Sequence, residues 1–411
     1  DYLQKSALYP PLIESIPSAE LGLSVVIPCF DEPALLTSLQ SLQNCVLPNS
    51  KVEVIVVINC SEGADNQIIN QNRIANDEAA KFALLHSTNH LKFYIFNLQF
   101  PPKHSGVGLA RKVGMDEAVR RFEVLNKDGI IVCFDADSQC DSNYLVEIEK
   151  AFKANPLSPG ASIYFEHPIE GSEFSDQIYE GIIQYELYLR YYCNALKWAG
   201  HPHAFQTIGS SMAVKSKVYQ AQGGMNKRKA GEDFYFLEKI IPLGNFIEIN
   251  STKVVPSPRP SHRVPFGTGK AVSQWLETRS DLTHNLLIFR DLKLVFESIP
   301  LLYHSKNDKE IYDKFPVIFQ KFVDYSAFET VINELVDNTN SFSAFNSRFF
   351  RWFNLFRVLK FVHFCDDEVY GQVPIDECVR ELMVNLQMNG EATSQTELLL
   401  KLRRYDRQTF K

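Results

Sequence analysis

Four apolar runs punctuate the first third of the chain, at residues 23–29, 52–59, 91–98 and 129–134, and each is nearly continuous. Runs of this kind, rich in Val and Ile, read as strands buried on both faces of a parallel sheet. The polar stretches between them leave room for a crossover helix each, which is the βαβ rhythm of a doubly wound α/β fold. In the first crossover, residues 33–42, Leu35, Leu36, Leu39 and Leu42 match one helix face. Residues 107–124 repeat the pattern, with Ala110, Val113, Ala118 and Val119 apolar among Arg111, Lys112, Arg120 and Arg121. Further on, 161–165 reads as a strand, 176–198 as a long aromatic-rich helix, and 246–249 and 254–255 as short strand pieces.

The segment from Pro256 to Gly269 is too rich in Pro and Gly for regular structure, and beyond Val272 the pattern is mostly helical. The predicted organisation is a lead segment at 1–20, an α/β domain at 21–275 and a helical domain at 276–411. Within the last, Arg348, Arg351, Asn354, Arg357, Lys360 and His363 recur at every third position. A three-residue step falls short of a full helical turn, so the row spirals, and a helix buried on most sides is expected. In the long helix, Tyr185, Tyr188, Tyr191, Tyr192 and Trp198 are read as core, with a sugar-stacking face as the alternative.

Composition narrows the function. A chain of 411 residues is long for one core, and its 45% apolar content is ordinary for a globular protein. A net charge of −7, with charges spread along the chain, argues against nucleic acid as a partner. The eight cysteines show no CxxC pair, and Cys29, Cys60 and Cys133 fall on central strands, where a free thiol behaves as a small hydrophobe. A cytoplasmic protein is expected. No apolar run approaches the roughly 18 residues of a membrane span, while peripheral membrane contact and oligomeric state stay open. The first residue is not Met, so a removed leader also stays open.

The chemistry gathers at strand ends. Asp135-Ala136-Asp137 closes the fourth run, and open α/β sheets bind ligands at the carboxyl ends of their strands. Two carboxylates there suit a hard divalent cation, Mg²⁺ or Mn²⁺, whose remaining ligands are water and phosphate oxygens. The plainer alternative is a turn with a helix N-cap. After the first strand, Phe30, Asp31 and Glu32 either support a nucleotide base or cap the next helix ahead of Pro33. Asn59-Cys60-Ser61-Glu62 adds short polar groups at the same edge. Gly106-Val107-Gly108 opens a helix whose N–H groups, with Arg111, would suit an anion, and Lys103 and His104 lie just upstream.

Taken in order, Val25-Val-Ile-Pro-Cys-Phe-Asp-Glu32, Glu53-Val-Ile-Val-Val-Ile-Asn59, Gly108-Leu-Ala-Arg-Lys-Val-Gly114, Phe134-Asp-Ala-Asp137, Gly224 and Gly231-Glu-Asp233 resemble the family 2 glycosyltransferases of the GT-A fold. The resemblance covers about residues 21 to 270. It implies a sheet of mostly parallel strands flanked by helices, with the helical domain appended. It further implies that Pro28, Phe30, Glu32 and Asn59 hold the nucleoside of a nucleotide-diphosphate sugar. Asp135 would contact ribose or metal, Asp137 would ligate a divalent metal (Mn or Mg), and Asp233, beside Glu232, would be the general base. In some GT-A enzymes making glucosyl- and mannosylglycerate-type products a late histidine completes the metal shell. His262 lies at a comparable point.

The resemblance therefore predicts transfer of one sugar to an acceptor such as a sugar, a small acid or a glycan precursor, with inversion by single displacement. A retaining transferase of the mannosylglycerate type and a non-catalytic nucleotide-sugar-binding protein are the alternatives. The chain departs from the family at Asn59-Cys60-Ser61-Glu62, where Asp-Asp-Gly-Ser is common, and has no clear Gln-x-x-Arg-Trp match. Gln274-Trp275 is only a fragment of it. A sugar-nucleotide pyrophosphorylase is disfavoured, because Pro28-Cys-Phe-Asp-Glu32 stands where those enzymes carry a Gly-rich basic loop.

Overall fold

A computed structural model describes residues 2–261, 267–305 and 308–408. Their contacts separate two compact units. The first comprises the chain up to Ile182, Thr207–Ser273 and a short tail from Asp406; the second comprises Ile183–Gln206 and Gln274–Tyr405.

The first unit is built on a sheet of eight strands, β1 (Leu21–Cys29), β2 (Lys51–Ser61), β3 (Leu91–Phe100), β4 (Ile130–Cys133), β5 (Gln139–Cys140), β6 (Gly160–Phe165), β7 (Met212–Lys215) and β8 (Ile247–Val255), in the order β3-β2-β1-β4-β7-β6-β8-β5. Its helices are α1 (Tyr2–Ser6), α2 (Leu35–Gln43), α3 (Asn66–His86), α4 (Val107–Val124), α5 (Tyr144–Ala154), the first part of α6 (Asp176–Trp198), α7 (Ser216–Ala221), α8 (Glu232–Ile240) and the start of α9 (Thr268–Thr278). β1 pairs in parallel with β2 and β4, β2 with β3, and β6 with β8, whereas β7 runs antiparallel to β4 and β6. The four apolar runs are β1 to β4, and their aliphatic side chains are almost wholly buried in β1, β2 and β4. Burial on both faces is why these runs are continuous.

The order in which strands are added reverses between the parallel pair β1 and β4: β2 and β3 lie on one side of the pair, the later strands on the other. Such a switch point leaves a crevice beyond the strand ends, because the crossovers depart to opposite sides. Phe30 to Glu32 follow β1 and Asp135 to Asp137 follow β4, so both segments stand at that crevice.

Three readings of the sequence are corrected here. The pieces 246–249 and 254–255 are one strand, β8, whose pairing with β6 shifts register between Ile163 and Phe165. The irregular stretch ends earlier than Gly269, since α9 begins at Thr268. The polar row at 348–363 does not sit on one buried helix. It is divided between Phe342–Trp352 and Leu355–Cys365, where Asn354 caps the second helix by accepting from Arg357 N–H at 3.0 Å. The break resets the phase, so Arg348, Arg351, Lys360 and His363 are exposed while Phe349, Phe353 and Phe361 are buried.

The second unit is helical apart from a two-stranded ribbon, Leu282–His284 against Gln372–Pro374. Its core is aromatic, with Phe319, Phe349 and Phe361 each in ring contact with Phe353. Buried Glu186 accepts from Arg190 at 2.8 Å and from Arg403 at 2.7 Å, so its charge is matched. Tyr188 and Tyr192 pack against the ring of His284 and Tyr191 donates to its carbonyl at 2.8 Å, which is core packing. No helix among the described residues is long and apolar enough to cross a membrane.

Candidate active site

The site centres on Arg111, one turn into α4. Its guanidinium is almost wholly buried and donates to Asp135 Oδ1 at 2.5 Å and, through its other terminal nitrogen, to Glu232. Burial by itself would lower the Arg111 pKa, but the carboxylates of Asp135 and Glu232 outweigh it and keep the group charged. One cation thus ties the acidic end of β4 to the start of α8. Gly209 makes room for it: a Cβ there would stand 2.6 Å from Arg111 Nη1 and 3.0 Å from Asp233 Oδ2.

This placement corrects the expectation that Arg111 and Gly108 present a free anion site. The N–H of Gly108 donates to the Arg228 carbonyl at 3.2 Å, and a Cβ on Gly108 would come within 2.3 Å of that oxygen. The glycine is there for close packing of α4 on the 226–229 loop. Arg111 points inward because two carboxylates compensate its burial. The basic groups left near the helix start are Lys103, Lys227 and Lys229, which, after desolvation, depress the pKa of His104.

Glu232 and Asp233 open α8 behind Gly231, whose φ of 67° is the left-handed conformation that glycine adopts at no steric cost. Burial raises the Glu232 pKa to about 7, against the pull of Arg111, and the neighbouring Asp233 adds to the rise. Burial also raises Asp233. Asp233 is half-buried and takes the N–H of Phe234 at 2.8 Å.

On the other side of the switch point, Glu32 is buried, accepts from Ala34 N–H at 2.8 Å, and forms an ion pair with Arg259. The same guanidinium stands 3.9 Å from Asp137. Phe30 is half-buried and Pro28 buried. Asn59 donates to the Cys29 carbonyl at 2.8 Å, and its Oδ1 is a buried acceptor with no partner among the described residues. Asn72 of α3 braces both turns, accepting from Asp31 N–H at 3.0 Å and donating to the Asn59 carbonyl at 2.8 Å. His262 lies outside the described residues.

Arg259, Asn72 and Gly209 are the site residues that the sequence did not single out. Asn72 carried a faint signal, a polar residue in register with the buried face of its helix at Ala75, Ala79 and Phe82. Arg259 carried none, because a Pro-rich stretch has no periodicity to read.

Acids thus flank the switch point of an α/β sheet, the place where open sheets of this kind receive their ligands. Residues 24–192 match the family described as Glycosyl transferase family 2. No curated protein matches. Among solved structures, the chain is similar to the 1–349 segment of S. aureus TarS at 16% identity, over 55% of this chain and 57% of that one, with a TM-score of 0.34. The same segment in complex with UDP-GlcNAc matches at 14% identity, over 67% of this chain and 66% of that one, with a TM-score of 0.37.

Proposed function

We propose that this chain transfers one sugar from a nucleotide-diphosphate sugar to an acceptor hydroxyl, with the donor seated at the carboxyl ends of β1, β2 and β4. The observation that carries this reading is the Arg111 bridge, which joins the acid of β4 that would face the donor to the Glu232-Asp233 pair that would face the acceptor. Pro28, Phe30 and Glu32, with the unpartnered Oδ1 of Asn59, form the nucleoside side.

Asp135 and Asp137 fit a divalent cation. Both are partly exposed carboxylates, and Mg²⁺ or Mn²⁺ is commonly held by one or two such groups while phosphate and water complete its shell. Among the described residues no cluster of three or more His, Cys, Asp or Glu side chains forms a closed cage, so Asp137 would be the principal ligand, with Asp135 shared between Arg111 and the ion or ribose. A bound cation would supply charge to the departing diphosphate.

Asp233 orients the acceptor hydroxyl and takes its proton as the new C–O bond forms at the anomeric carbon. The bond to phosphate breaks on the opposite face, and its electron pair leaves with the diphosphate, so a single displacement inverts configuration. A raised pKa makes Asp233 the stronger base near neutral pH, and Arg111 limits that rise by keeping positive charge beside the pair.

The test is a panel of UDP- and GDP-sugars with Mn²⁺ or Mg²⁺, read first by thermal shift and then by transfer or hydrolysis. A stabilising donor, turned over by the native chain but not by Asp233→Asn, supports the proposal. A folded protein that no nucleotide sugar stabilises with either metal sinks it. Stabilisation without turnover would favour a binding protein, and product with the donor's anomeric configuration would overturn inversion.

A further inference from the structure

Among the eight cysteines two sulfurs adjoin. Cys45 Sγ, just past the end of α2, stands 3.6 Å from Cys140 Sγ on β5, three residues after Asp137. Ser41 of α2 stands 3.7 Å from the same Cys140 sulfur, and one turn earlier Ser38 donates to the Ala136 carbonyl at 2.8 Å. The residue between the two site acids is therefore hydrogen-bonded to α2, and the thiol pair lies at the far end of the same contact. Both thiols are free, Cys45 buried and Cys140 partly exposed.

We propose that Cys45 and Cys140 are a reversible thiol–disulfide pair whose oxidation by a small-molecule disulfide pins α2 to the turn that carries Asp135 and Asp137. Cys140, the more accessible of the two, reacts first: its sulfur displaces one thiolate from the incoming disulfide, and the Cys140 proton passes to that leaving group. Cys45 then attacks the Cys140 sulfur of the mixed disulfide and expels the second thiolate, which takes the Cys45 proton. Two protein thiols are oxidised, and one external disulfide is reduced to two thiols. Cys45 suits the second step, because its sulfur already stands 3.6 Å from that of Cys140. Of the remaining cysteines, all buried, Cys133 stands 3.8 Å from Met115 Sδ.

The covalent step stands apart from the glycosyltransfer reading and is tested without a donor. The native full chain is incubated with oxidised glutathione and then mapped by non-reducing peptide mass spectrometry. The expected result is a Cys45–Cys140 cross-link with a loss of two hydrogens, removed by a dithiol reductant, and a rise of a few degrees in the thermal midpoint of the oxidised form. Cys45→Ser should trap a glutathione adduct on Cys140, and Cys45→Ala serves if that variant folds poorly. Retention of all eight thiols, a lasting adduct on Cys140 of the native chain, or a cross-link that leaves the midpoint unmoved would each overturn the proposal.

Discussion

The guanidinium of Arg259 reaches back 227 positions along the chain to the buried carboxylate of Glu32, and stands within 4 Å of Asp137. It joins the turn after β1 to the turn after β4 through a residue of the Pro-rich segment. Removing it takes a charged partner from a buried carboxylate, so Arg259→Ala should lower stability by about 1–3 kcal/mol. Urea denaturation measures this, and an unchanged midpoint would show that the pair is screened by water. Arg259→Lys should recover only part of the loss, since an ammonium is a point charge and does not reproduce the planar fork.

Arg111 is more deeply buried and faces two acids, so its loss costs more. Arg111→Ala leaves Glu232 and Asp135 uncompensated and should destabilise the fold by roughly 3–5 kcal/mol. Combining it with Glu232→Gln should recover part of that loss, because the stranded charge is then gone. A double-mutant cycle in denaturant tests the coupling, and strict additivity would contradict the bridge.

The pH dependence follows from Glu232. Its folded pKa of about 7 lies above the unfolded value of 4.5, so the native state binds the extra proton between the two. The stability this contributes is fully present below about pH 4.5 and is lost as pH rises through 7. Glu232→Gln should therefore flatten the decline in unfolding free energy across that window. The same slope in both proteins would assign the titration elsewhere, with Asp233 the first suspect.

Gly209 offers a steric test that leaves every charge in place. A methyl group there meets Arg111 Nη1 at 2.6 Å and Asp233 Oδ2 at 3.0 Å, so Gly209→Ala must push the guanidinium off its partners or move the backbone. Overpacking of this kind costs about 1–3 kcal/mol. Under the proposed function the larger effect falls on turnover, and melting curves paired with donor-hydrolysis rates separate the two.

Asp137 is partly exposed, so Asp137→Ala should fold normally while removing the metal-dependent part of any donor-induced thermal shift. A shift that survives the substitution would place the cation elsewhere.

By itself the sequence determined the strands and the acids that follow them. Strands buried on both faces must be continuously apolar, and helices that cover them must repeat near 3.6, so β1 to β4, α4 and α6 were legible from composition along short windows. α3 was not, because its exposed length carries little apolar pattern beyond Ala75, Ala79 and Phe82. The break at Asn354 was missed for a related reason: a capping asparagine looks like any polar residue until the backbone turns there.

Only the tertiary structure decided what the charged residues do. Arg111 reads in sequence as an exposed cation at a helix start, and becomes the buried link between two acid motifs because α8 brings Glu232 to it. Arg259, Asn72 and the Cys45–Cys140 pair follow the same logic. Strand formation depends on neighbours a few positions away, which a sequence displays directly. The partners of a buried charge or thiol lie 24 to 227 positions distant, and only the closed sheet brings them within a few ångströms.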